Sequence, residues 1–598
     1  MVKFDSFKTE YKYPQGAVRC LDDIRFCIRT DPSLEVEKVN LVIRNSDTSK
    51  TFVLTKKEDG DLFEGTAVFV ETGMNYYRFE LVQKKGTFIF VGTKDGHTAS
   101  IGDWLPEWRV AAYDKDFHTS SGCEGAVMYQ IFPDRFYRSE KVIAGQAKNE
   151  RIIHESWDER PHCYYDYPDF KCNDFFMGNL KGIEEKLDYI SSLGVTHIYL
   201  NPIFESSENH RYSTSDYMNI DPYLGTDSHF KELCEKAKEY DIKIILDGVF
   251  SHTGDDSIYF NRYHHFSGVG AHDGKDSPYY NWYNFTEFPE KYECWWGFDT
   301  LPNVCETNPG YMEYITGKNG VLRHWLRMGA SGWRLDVADE LPDKFLEAVR
   351  RAVKEENKDA LIIGEVWENA ITKVSYGAQR KFLLGKQCDT VMNYPFLNAI
   401  TDFVIGADSA KFYNSIMQII NDYPAPSVDC LMNMLSTHDT ARAICRMGAD
   451  TIPERRYQAD AKLTEFQLRR GIKRLKMAAV IQFTLPGIPC IYYGDEAGLQ
   501  GFGDPSCRGT YPWGRENTEL VRLHRSLGNI RKNNKSDFSK PIEFIKAEGG
   551  VISYSRGDLV ITVNNSQTEA DIPCGESLFG FNTQNGKLLP CGAIIQRR

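Results

Sequence analysis

One short segment places an arginine and a carboxylate together in an apolar run. Residues 332–340, GWRLDVADE, hold Arg334 and Asp336 two positions apart. On a β-strand this spacing puts both side chains on one face. An arginine beside a carboxylate favours the charged form, so the pattern predicts a depressed pKa for Asp336 and an ionised carboxylate suited to nucleophilic attack. A structural ion pair is the simpler interpretation of a single Arg-x-Asp, and only the rest of the chain separates the two.

Three further apolar segments also deliver ionisable or aromatic residues at their ends. They are 241–252 with Asp247 and His252, 360–367 with Glu365 and Trp367, and 429–439 with His438 and Asp439. The carboxyl ends of parallel strands meet on one rim of a barrel, and the active sites of such barrels lie on that rim. The chain therefore predicts an α/β fold, a (β/α)8 TIM barrel, with an active site at its carboxyl-end rim.

At these segments the chain resembles the α-amylase family of glycoside hydrolases. The matching motifs, in order, are DGVFSH at 247–252, GWRLD at 332–336, GEVW at 364–367 and STHD at 436–439, with MGNLKGI at 177–183 and GIPCIYYGDE at 487–496 as two more. The resemblance covers roughly residues 120–520. Chance agreement of six ordered motifs is negligible, so the ion-pair interpretation of Arg334 and Asp336 loses to the catalytic one.

The resemblance implies a role for each matching residue. Asp336 would be the nucleophile, Glu365 the general acid/base, and Asp439 a third, stabilising carboxylate. The residues implied to bind substrate are Tyr212, Asp247, His252, Arg334, Trp367, His438, Asp504 and Arg508. Direct attack by a carboxylate retains the anomeric configuration and needs the two catalytic carboxyl groups about 5 Å apart. Three apolar residues before Glu365 and the tryptophan after it predict a raised pKa for this acid.

No metal or other cofactor is expected. Relatives often bind calcium in the long loop that here spans 137–174, but Gly178-Asn179 stands where the resemblance would place a Gly-Asp pair, and Ser251 replaces a more usual asparagine. Hard cations prefer several oxygen ligands with carboxylates among them. The adjacent His264 and His265 could be read as metal ligands, but they lack acids or cysteines at metal-ligand spacing.

The chain is too long for one ordinary core, and its patterns predict three domains. At 598 residues, two to four domains are expected. Short β-rich runs predict an N-terminal β-sandwich over 1–120 and a C-terminal β-sandwich over 518–598. The catalytic barrel would occupy 121–517, and the loss of periodicity over 253–309 predicts a small inserted domain after its third strand.

Two features resemble the cyclomaltodextrinase, neopullulanase and maltogenic amylase group within the family. They are the N-terminal module placed before the barrel and the WWGF motif at 295–298. The resemblance implies that the module supports a homodimer and shapes the cleft, and a plain packing domain remains the alternative. The pair Asp339-Glu340 lies where the group often has Asn-Glu, and Glu340 is the residue of interest. It is implied to face the acceptor side and influence linkage choice, with surface charge as the competing interpretation.

The resemblance thus implies a retaining α-glucan hydrolase that cleaves α-1,4 bonds in maltooligosaccharides, cyclodextrins or pullulan, with transglycosylation as a side reaction. A glucanotransferase or branching enzyme of the same fold is one alternative. A non-catalytic α-glucan-binding or scaffold protein is another. The net charge of −13 argues against nucleic acid or an anionic membrane as partner and suits a neutral sugar.

The expected compartment is the cytoplasm. The first residues lack the apolar run of a signal peptide, and no stretch of about 18 apolar residues predicts a membrane span. The 15 cysteines are scattered without metal-type spacing, which favours reduced thiols.

Overall fold

The computed structural model describes residues 2–46, 48–58, 60–142, 144–163 and 171–598. The chain divides into two compact units. The first comprises Met1–Thr119, Glu368–Thr390 and Asn414–Val428, and the second comprises Ser120–Trp367, Val391–Tyr413 and Asp429–Arg598. Part of the predicted long loop, residues 143 and 164–170, lies outside the described residues.

The first unit is built on ten strands from the N-terminal part of the chain. They are β1 (Lys12–Tyr13), β2 (Val18–Arg19), β3 (Asp23–Arg29), β4 (Val36–Arg44), β5 (Ser49–Lys56), β6 (Leu62–Val68), β7 (Gly73–Gln83), β8 (Phe88–Thr93), β9 (Ala99–Ile101) and β10 (Trp108–Tyr113). Inward residues alternate along them, and Tyr77, Phe79 and Trp108 pack at the centre of one buried aromatic core. The predicted N-terminal β-structure is confirmed.

The next strands along the chain include the barrel. They are β11 (Met128–Ile131), β12 (Ile152–Ile153), β13 (Asp174–Phe175), β14 (His197–Leu200), β15 (Phe204–Ser206), β16 (Thr214–Ile220), β17 (Lys243–Gly248), β18 (Phe285–Glu287), β19 (Lys291–Tyr292), β20 (Gly332–Leu335), β21 (Leu361–Gly364), β22 (Val374–Ser375), β23 (Ala378–Gln379), β24 (Thr390–Val391), β25 (Met432–Met434) and β26 (Ile488–Tyr492). Eight of them form one sheet in the order β24-β21-β20-β17-β14-β11-β26-β25. A parallel bridge between Met392 and Met432 joins its two ends, so the sheet closes into a barrel.

Helices alternate with the barrel strands. They are α1 (Pro133–Phe136), α2 (Leu180–Glu185), α3 (Leu187–Ser192), α4 (Asp227–Glu239), α5 (Pro309–Thr316), α6 (Val321–Met328), α7 (Asp343–Glu356), α8 (Tyr394–Ile405), α9 (Ser409–Asp422), α10 (Ala425–Asp429), α11 (Ala443–Gly448), α12 (Glu465–Thr484), α13 (Thr518–Asn533) and α14 (Lys535–Phe538). Capping boxes at Thr226 and Thr464 fix the starts of α4 and α12. The predicted (β/α)8 alternation is confirmed.

Two elements are less regular than their sequence patterns suggest. Residues 310–328 form two helices, α5 and α6, because the glycine-containing segment 317–320 interrupts the run. The strand expected over 429–439 is limited to β25, since α10 occupies the residues before it. The inserted segment 253–309 holds the hairpin β18–β19 and two short 3-10 turns before α5.

The chain ends in antiparallel β-structure. Its strands are β27 (Ile542–Glu548), β28 (Val551–Arg556), β29 (Leu559–Asn564), β30 (Ala570–Asp571), β31 (Glu576–Gln584) and β32 (Lys587–Arg597). They form one six-stranded sheet, as expected for the C-terminal part of the predicted fold class, which is confirmed. Over the described part of the chain, the helices lack the length and apolar character needed to cross a membrane.

Candidate active site

A single buried arginine holds three carboxylates together at the barrel rim. Nη1 of Arg334 donates to Asp247 Oδ1 at 2.8 Å and to Asp336 Oδ1 at 2.7 Å. Its Nη2 lies 2.7 Å from Glu365 Oε2. The three acids come from the carboxyl ends of β17, β20 and β21, which are neighbours in the parallel sheet. The arrangement explains why an arginine occupies a strand that is otherwise buried and apolar.

The pKa of Asp336 moves opposite to the direction expected from sequence. Burial raises the pKa of Asp336 well above its ordinary value, and the nearby charges of Glu365 and Asp247 add to the rise, while Arg334 opposes it. Burial also raises the pKa of Asp247. The prediction of a depressed pKa for Asp336 is therefore wrong: Arg334 does lower this pKa, but its one positive charge is shared among three acids in a poorly hydrated pocket and burial outweighs it.

Glu365 lies among hydrogen-bond donors rather than in the apolar surroundings expected from its sequence neighbours. Its Oε2 accepts from the backbone N–H of Val337 at 2.9 Å, and its Oε1 accepts from the indole of Trp367 at 3.2 Å. Val337 has a φ of 39°, an uncommon conformation for a β-branched residue. This turn directly after the Asp336 carboxylate aims a backbone donor at Glu365. The raised pKa expected for Glu365 remains a prediction.

Tyr212 is fixed in the cleft by its hydroxyl group. This group donates to Asp247 Oδ2 at 2.8 Å and lies 2.6 Å from His438 Nε2. The rings of Tyr212 and His438 are within 4° of parallel. Tyr199 also donates to Asp247 Oδ2, at 2.6 Å, and Asn201 donates to the Tyr212 hydroxyl at 3.0 Å. The tyrosine ring therefore presents a fixed flat surface beside the carboxylates.

The two predicted histidines are neutral in their surroundings. Burial lowers the pKa of His252 to about 4, and burial with the nearby guanidinium groups of Arg508 and Arg334 lowers the pKa of His438 well below its ordinary value. Gln130 lies 3.0 Å from His438 Nδ1, and Ser251 Oγ lies 2.9 Å from His252 Nδ1. His252 Nε2 has no hydrogen-bond partner among the described residues, so this neutral ring suits hydrogen bonding to a sugar hydroxyl. Both ring nitrogens of His438 are already engaged, by Gln130 and by the Tyr212 hydroxyl.

Asp439 is held by an arginine from another loop. Nη2 of Arg508 donates to Asp439 Oδ1 at 3.2 Å, and Nε of the same arginine donates to the backbone carbonyl of His438 at 2.9 Å. Burial raises the pKa of Asp439 to about 7, with Arg508 opposing the rise and Glu365 adding to it. Asp504 faces Arg508 Nη2 at 4.0 Å and Arg455 Nη2 at 3.1 Å.

The predicted site residues surround one cavity of about 460 Å³. Its lining comprises Cys172, Glu208, His210, Tyr212, His252, Trp295, Phe298, Thr300, Leu301, Asp336, Val337, Glu365, Trp367, His438, Asp439, Asp504 and Arg508. Asp247 and Arg334 are the two predicted residues outside this lining, and both are buried against residues within it. The structure thus brings together every residue that the sequence predicted for the site.

An aromatic wall stands beside the cavity, and Glu340 fixes it. The indole N–H groups of Trp295 and Trp296 donate to Glu340 Oε2 and Oε1 at 3.0 Å and 2.9 Å. Trp296 is 78% exposed. Glu340 is therefore not merely a surface charge. On the other side, Trp367 is 45% exposed and stacks on Tyr394 with ring centroids 4.1 Å apart.

Sequence reasoning missed the cluster of Cys172, Glu208 and His210. Their possible metal-ligand atoms lie within 4.8 Å of one another. However, Nδ1 of His210 accepts from the backbone N–H of Tyr212 at 3.1 Å, so the proton of the neutral ring lies on Nε2, which faces Glu208 Oε2 at 3.3 Å. Nδ1 of His210 is thus engaged within the protein, and through this bond the cluster supports the Tyr212 loop. The polar residues around Tyr212 in sequence were the available signal.

The residues at the position where the resemblance raises calcium already have other partners. Asn179 uses its side-chain oxygen to cap α2, accepting from Gly182 N at 2.8 Å, and its amide nitrogen donates to Ser139 O at 3.0 Å. The Ser251 hydroxyl contacts His252 Nδ1. An oxygen already capping a helix is a poor ligand for a hard cation. His264, in turn, lies 2.8 Å from Asp273 and is 75% exposed in its side chain.

A closed parallel barrel with acids, histidines and an arginine around one rim cavity defines an enzyme-type site. Comparison with known proteins identifies the family. The model for the α-amylase catalytic domain matches residues 130–547, and the chain belongs to this family.

Curated relatives carry names from one group of activities. An amylopullulanase from Thermoanaerobacter thermohydrosulfuricus is 35% identical over 93% of this chain, which spans only 40% of that relative. A cyclomaltodextrinase from a Bacillus species is 31% identical over 77% of this chain and 76% of its own length. Among solved structures, the type III pullulan hydrolase from Thermococcus kodakarensis aligns over all of both chains, with a TM-score of 0.70 and 25% identity.

Proposed function

We propose that the protein is a retaining α-glucan hydrolase that cleaves α-1,4 bonds in maltooligosaccharides, cyclodextrins or pullulan. The observation that carries the proposal is the Arg334 guanidinium with Asp336 and Glu365 on its two terminal nitrogens, each at 2.7 Å. Two carboxyl groups held by one guanidinium are close together, as the ~5 Å separation of a retaining pair requires. They face the cavity together with Asp439.

The geometry supports a two-step reaction. Asp336 attacks the anomeric carbon while Glu365 gives its proton to the leaving oxygen, which forms a glycosyl-enzyme intermediate. Glu365 then removes a proton from water, and that water displaces Asp336. Arg334 stabilises the ionised Asp336, whose pKa would otherwise be raised further by burial. The negative charge of the cluster favours the cationic sugar of the transition state.

Several polar groups would hold the sugar at the cleavage point. Tyr212 offers a flat ring and His252 offers a neutral ring nitrogen at the same cavity, while His438 holds the Tyr212 hydroxyl in place. Asp439 and Arg508 form a hydrogen-bonded pair at its edge. Hydrogen bonds that strengthen as the ring distorts contribute to the rate. Asp247 accepts hydrogen bonds from Arg334, Tyr199 and Tyr212, so we assign it the role of holding Arg334 and the Tyr212 ring in position.

The substrate class rests on the relatives. Their names include amylopullulanase, cyclomaltodextrinase, neopullulanase and maltogenic α-amylase. A glucanotransferase differs only in taking a sugar instead of water as acceptor, and the same carboxylates would serve it. A binding or scaffold protein would not need the three acids around Arg334.

The test is a parallel incubation of wild type and Asp336→Asn with β-cyclodextrin, pullulan and soluble starch. Products are resolved by chromatography and their fresh anomers by NMR. Ring opening with α-anomer products, absent in Asp336→Asn, is the expected result. Transfer products longer than the substrate at low concentration would favour the transferase. Failure of the wild type to cleave any α-glucan would overturn the proposal.

We propose further that the chain acts in the cytoplasm. We also propose that it forms a homodimer supported by its N-terminal module. Its domains would be 1–120, 121–517 and 518–598, with the inserted segment 253–309 inside the second. All 15 cysteines are thiols in the structure, which suits a reducing compartment. Light scattering of the full chain, compared with a variant lacking 1–120, tests the dimer. A full chain that stays monomeric at micromolar concentration would contradict it.

A further inference from the structure

Two buried cysteines face each other at the end of the barrel opposite the cleft. Cys123 lies shortly before β11, and Cys430 lies two residues before β25, so both are at the amino ends of barrel strands. They are 2% and 1% exposed and belong to one apolar core cluster. The active-site residues lie at the carboxyl ends, so this pair is separate from the catalytic machinery.

The two sulfur atoms are unusually close for thiols. Their separation is 2.8 Å, and Cys123 Sγ also lies 3.3 Å from the Ser120 carbonyl oxygen. A disulfide bond measures about 2.05 Å, whereas non-bonded carbon atoms pack at about 3.5–4.0 Å. The side chains therefore already point at one another, and only a small movement separates them from a covalent bond.

We propose that Cys123 and Cys430 form a disulfide when the chain folds in the presence of a low-molecular-weight disulfide, because both thiols are accessible only before the core closes over them. The thiolate of one cysteine attacks the small disulfide, releasing one small thiol and leaving a mixed disulfide on the protein. The second thiolate attacks the protein-bound sulfur and releases the other small thiol. The two protein thiols lose two protons and two electrons, and the small disulfide gains them as two thiols.

The bond would join two parts of the barrel that are distant in sequence. The cysteines are 307 residues apart in the chain, and their strands β11 and β25 both neighbour β26 in the sheet. A crosslink over so long a loop restricts the unfolded chain strongly. The oxidised protein should therefore melt at a higher temperature and inactivate more slowly, while its activity at moderate temperature stays unchanged.

The test equilibrates the full-length protein in glutathione buffers of increasing oxidised fraction, both in the native state and during refolding from denaturant. Peptide mapping without reduction then identifies the linked peptides. The exposed Cys574 serves as the positive control for oxidation, because its thiol should form a mixed disulfide with glutathione. Cys430→Ala should abolish both the linked peptide and the rise in melting temperature. Cys234→Ala, which removes another buried thiol, should retain them.

A linked Cys123–Cys430 peptide, 2 Da lighter than its reduced parts, together with a raised melting temperature supports the proposal. Separate, fully alkylatable Cys123 and Cys430 peptides in both arms, while Cys574 is modified, would overturn it. The wild-type map decides the question even where an alanine variant folds poorly.

Discussion

Arg334 carries one positive charge against the carboxylates of Asp247, Asp336 and Glu365. One positive charge does not neutralise three carboxylates. Burial and the neighbouring carboxylates therefore raise the pKa of Asp336. A substrate whose transition state is cationic supplies the missing charge. The cluster is thus arranged to stabilise the cationic transition state of the reaction that we propose, which is how electrostatic preorganisation operates.

The acid role of Glu365 depends on the leaving group. Glu365→Gln should lower kcat/KM on β-cyclodextrin by about 10²–10⁴-fold, because the glycosidic oxygen then leaves unprotonated. On an α-maltosyl fluoride, whose leaving group needs little protonation, the first step should be nearly unaffected. Steady-state and burst kinetics on both substrates measure this. Equal losses on both substrates would exclude Glu365 as the proton donor.

Asp439 should make stability depend on pH. Its pKa is raised to about 7 by burial, so the folded protein keeps a proton that the unfolded chain loses near the ordinary Asp value. The stabilisation is present at acidic pH and is lost as pH rises towards 7. Asp439→Asn should therefore stabilise the protein more at pH 8 than at pH 4.5, by about 1 kcal/mol, since the 32% exposed side chain is partly screened.

Thermal melts of wild type and Asp439→Asn at the two pH values measure this difference. Asp460→Asn, which removes an exposed carboxylate, serves as the control and should show no such difference. A stability gain of Asp439→Asn that is the same at pH 8 and pH 4.5 would show that the pKa of Asp439 is not raised.

At the scale of elements, the barrel strands could be predicted from sequence. Each is a short run of apolar residues, or of alternating apolar and polar residues, that ends in polar side chains. Arg334 on β20 and Asp336 directly after it could be paired from their two-residue spacing alone. The direction in which the pKa of Asp336 is shifted could not be predicted from sequence, because it depends on how deeply the carboxyl ends of β17, β20 and β21 are buried together. The hydrogen bonds of Glu340 could not be predicted from sequence either, because its partners Trp295 and Trp296 lie in a segment without periodicity.

The link from Glu340, which lies shortly before α7, to the inserted segment gives a prediction about substrate fit. Glu340→Gln leaves only one acceptor oxygen for two indole N–H groups, so one tryptophan loses its partner. KM for β-cyclodextrin should rise about tenfold or less, with a smaller change for maltotriose, because only larger substrates need the wall. Glu347→Gln, an exposed carboxylate on α7, is the matched control. An unchanged KM for both substrates would contradict this role.

At the scale of the whole molecule, the fold class followed from composition, length and ordered motifs. The interruption between α5 and α6 did not follow, since Gly317 and Gly320 break a run that otherwise has helical character. The closure of the barrel by Met392 and Met432 depends on long-range pairing that no local pattern contains.

Calcium independence is a prediction for the whole protein. Because the Asn179 oxygen caps α2, incubation with EDTA followed by desalting should change neither the melting temperature nor kcat. Calorimetric titration of the treated protein with calcium should show no specific binding. A melting temperature that falls on chelation and recovers with calcium, but not with magnesium, would show that the protein holds a calcium site.

The most direct test of the central claim is to trap the covalent intermediate. A fluorinated α-maltosyl fluoride that slows the second step is incubated with wild type, and the labelled peptide is sequenced by mass spectrometry. We predict a single maltosyl-type label on Asp336 that is absent from Asp336→Asn and still forms in Glu365→Gln. A label on Glu365 or Asp439, or inverted products without any covalent label, would contradict the assignment of Asp336 as nucleophile.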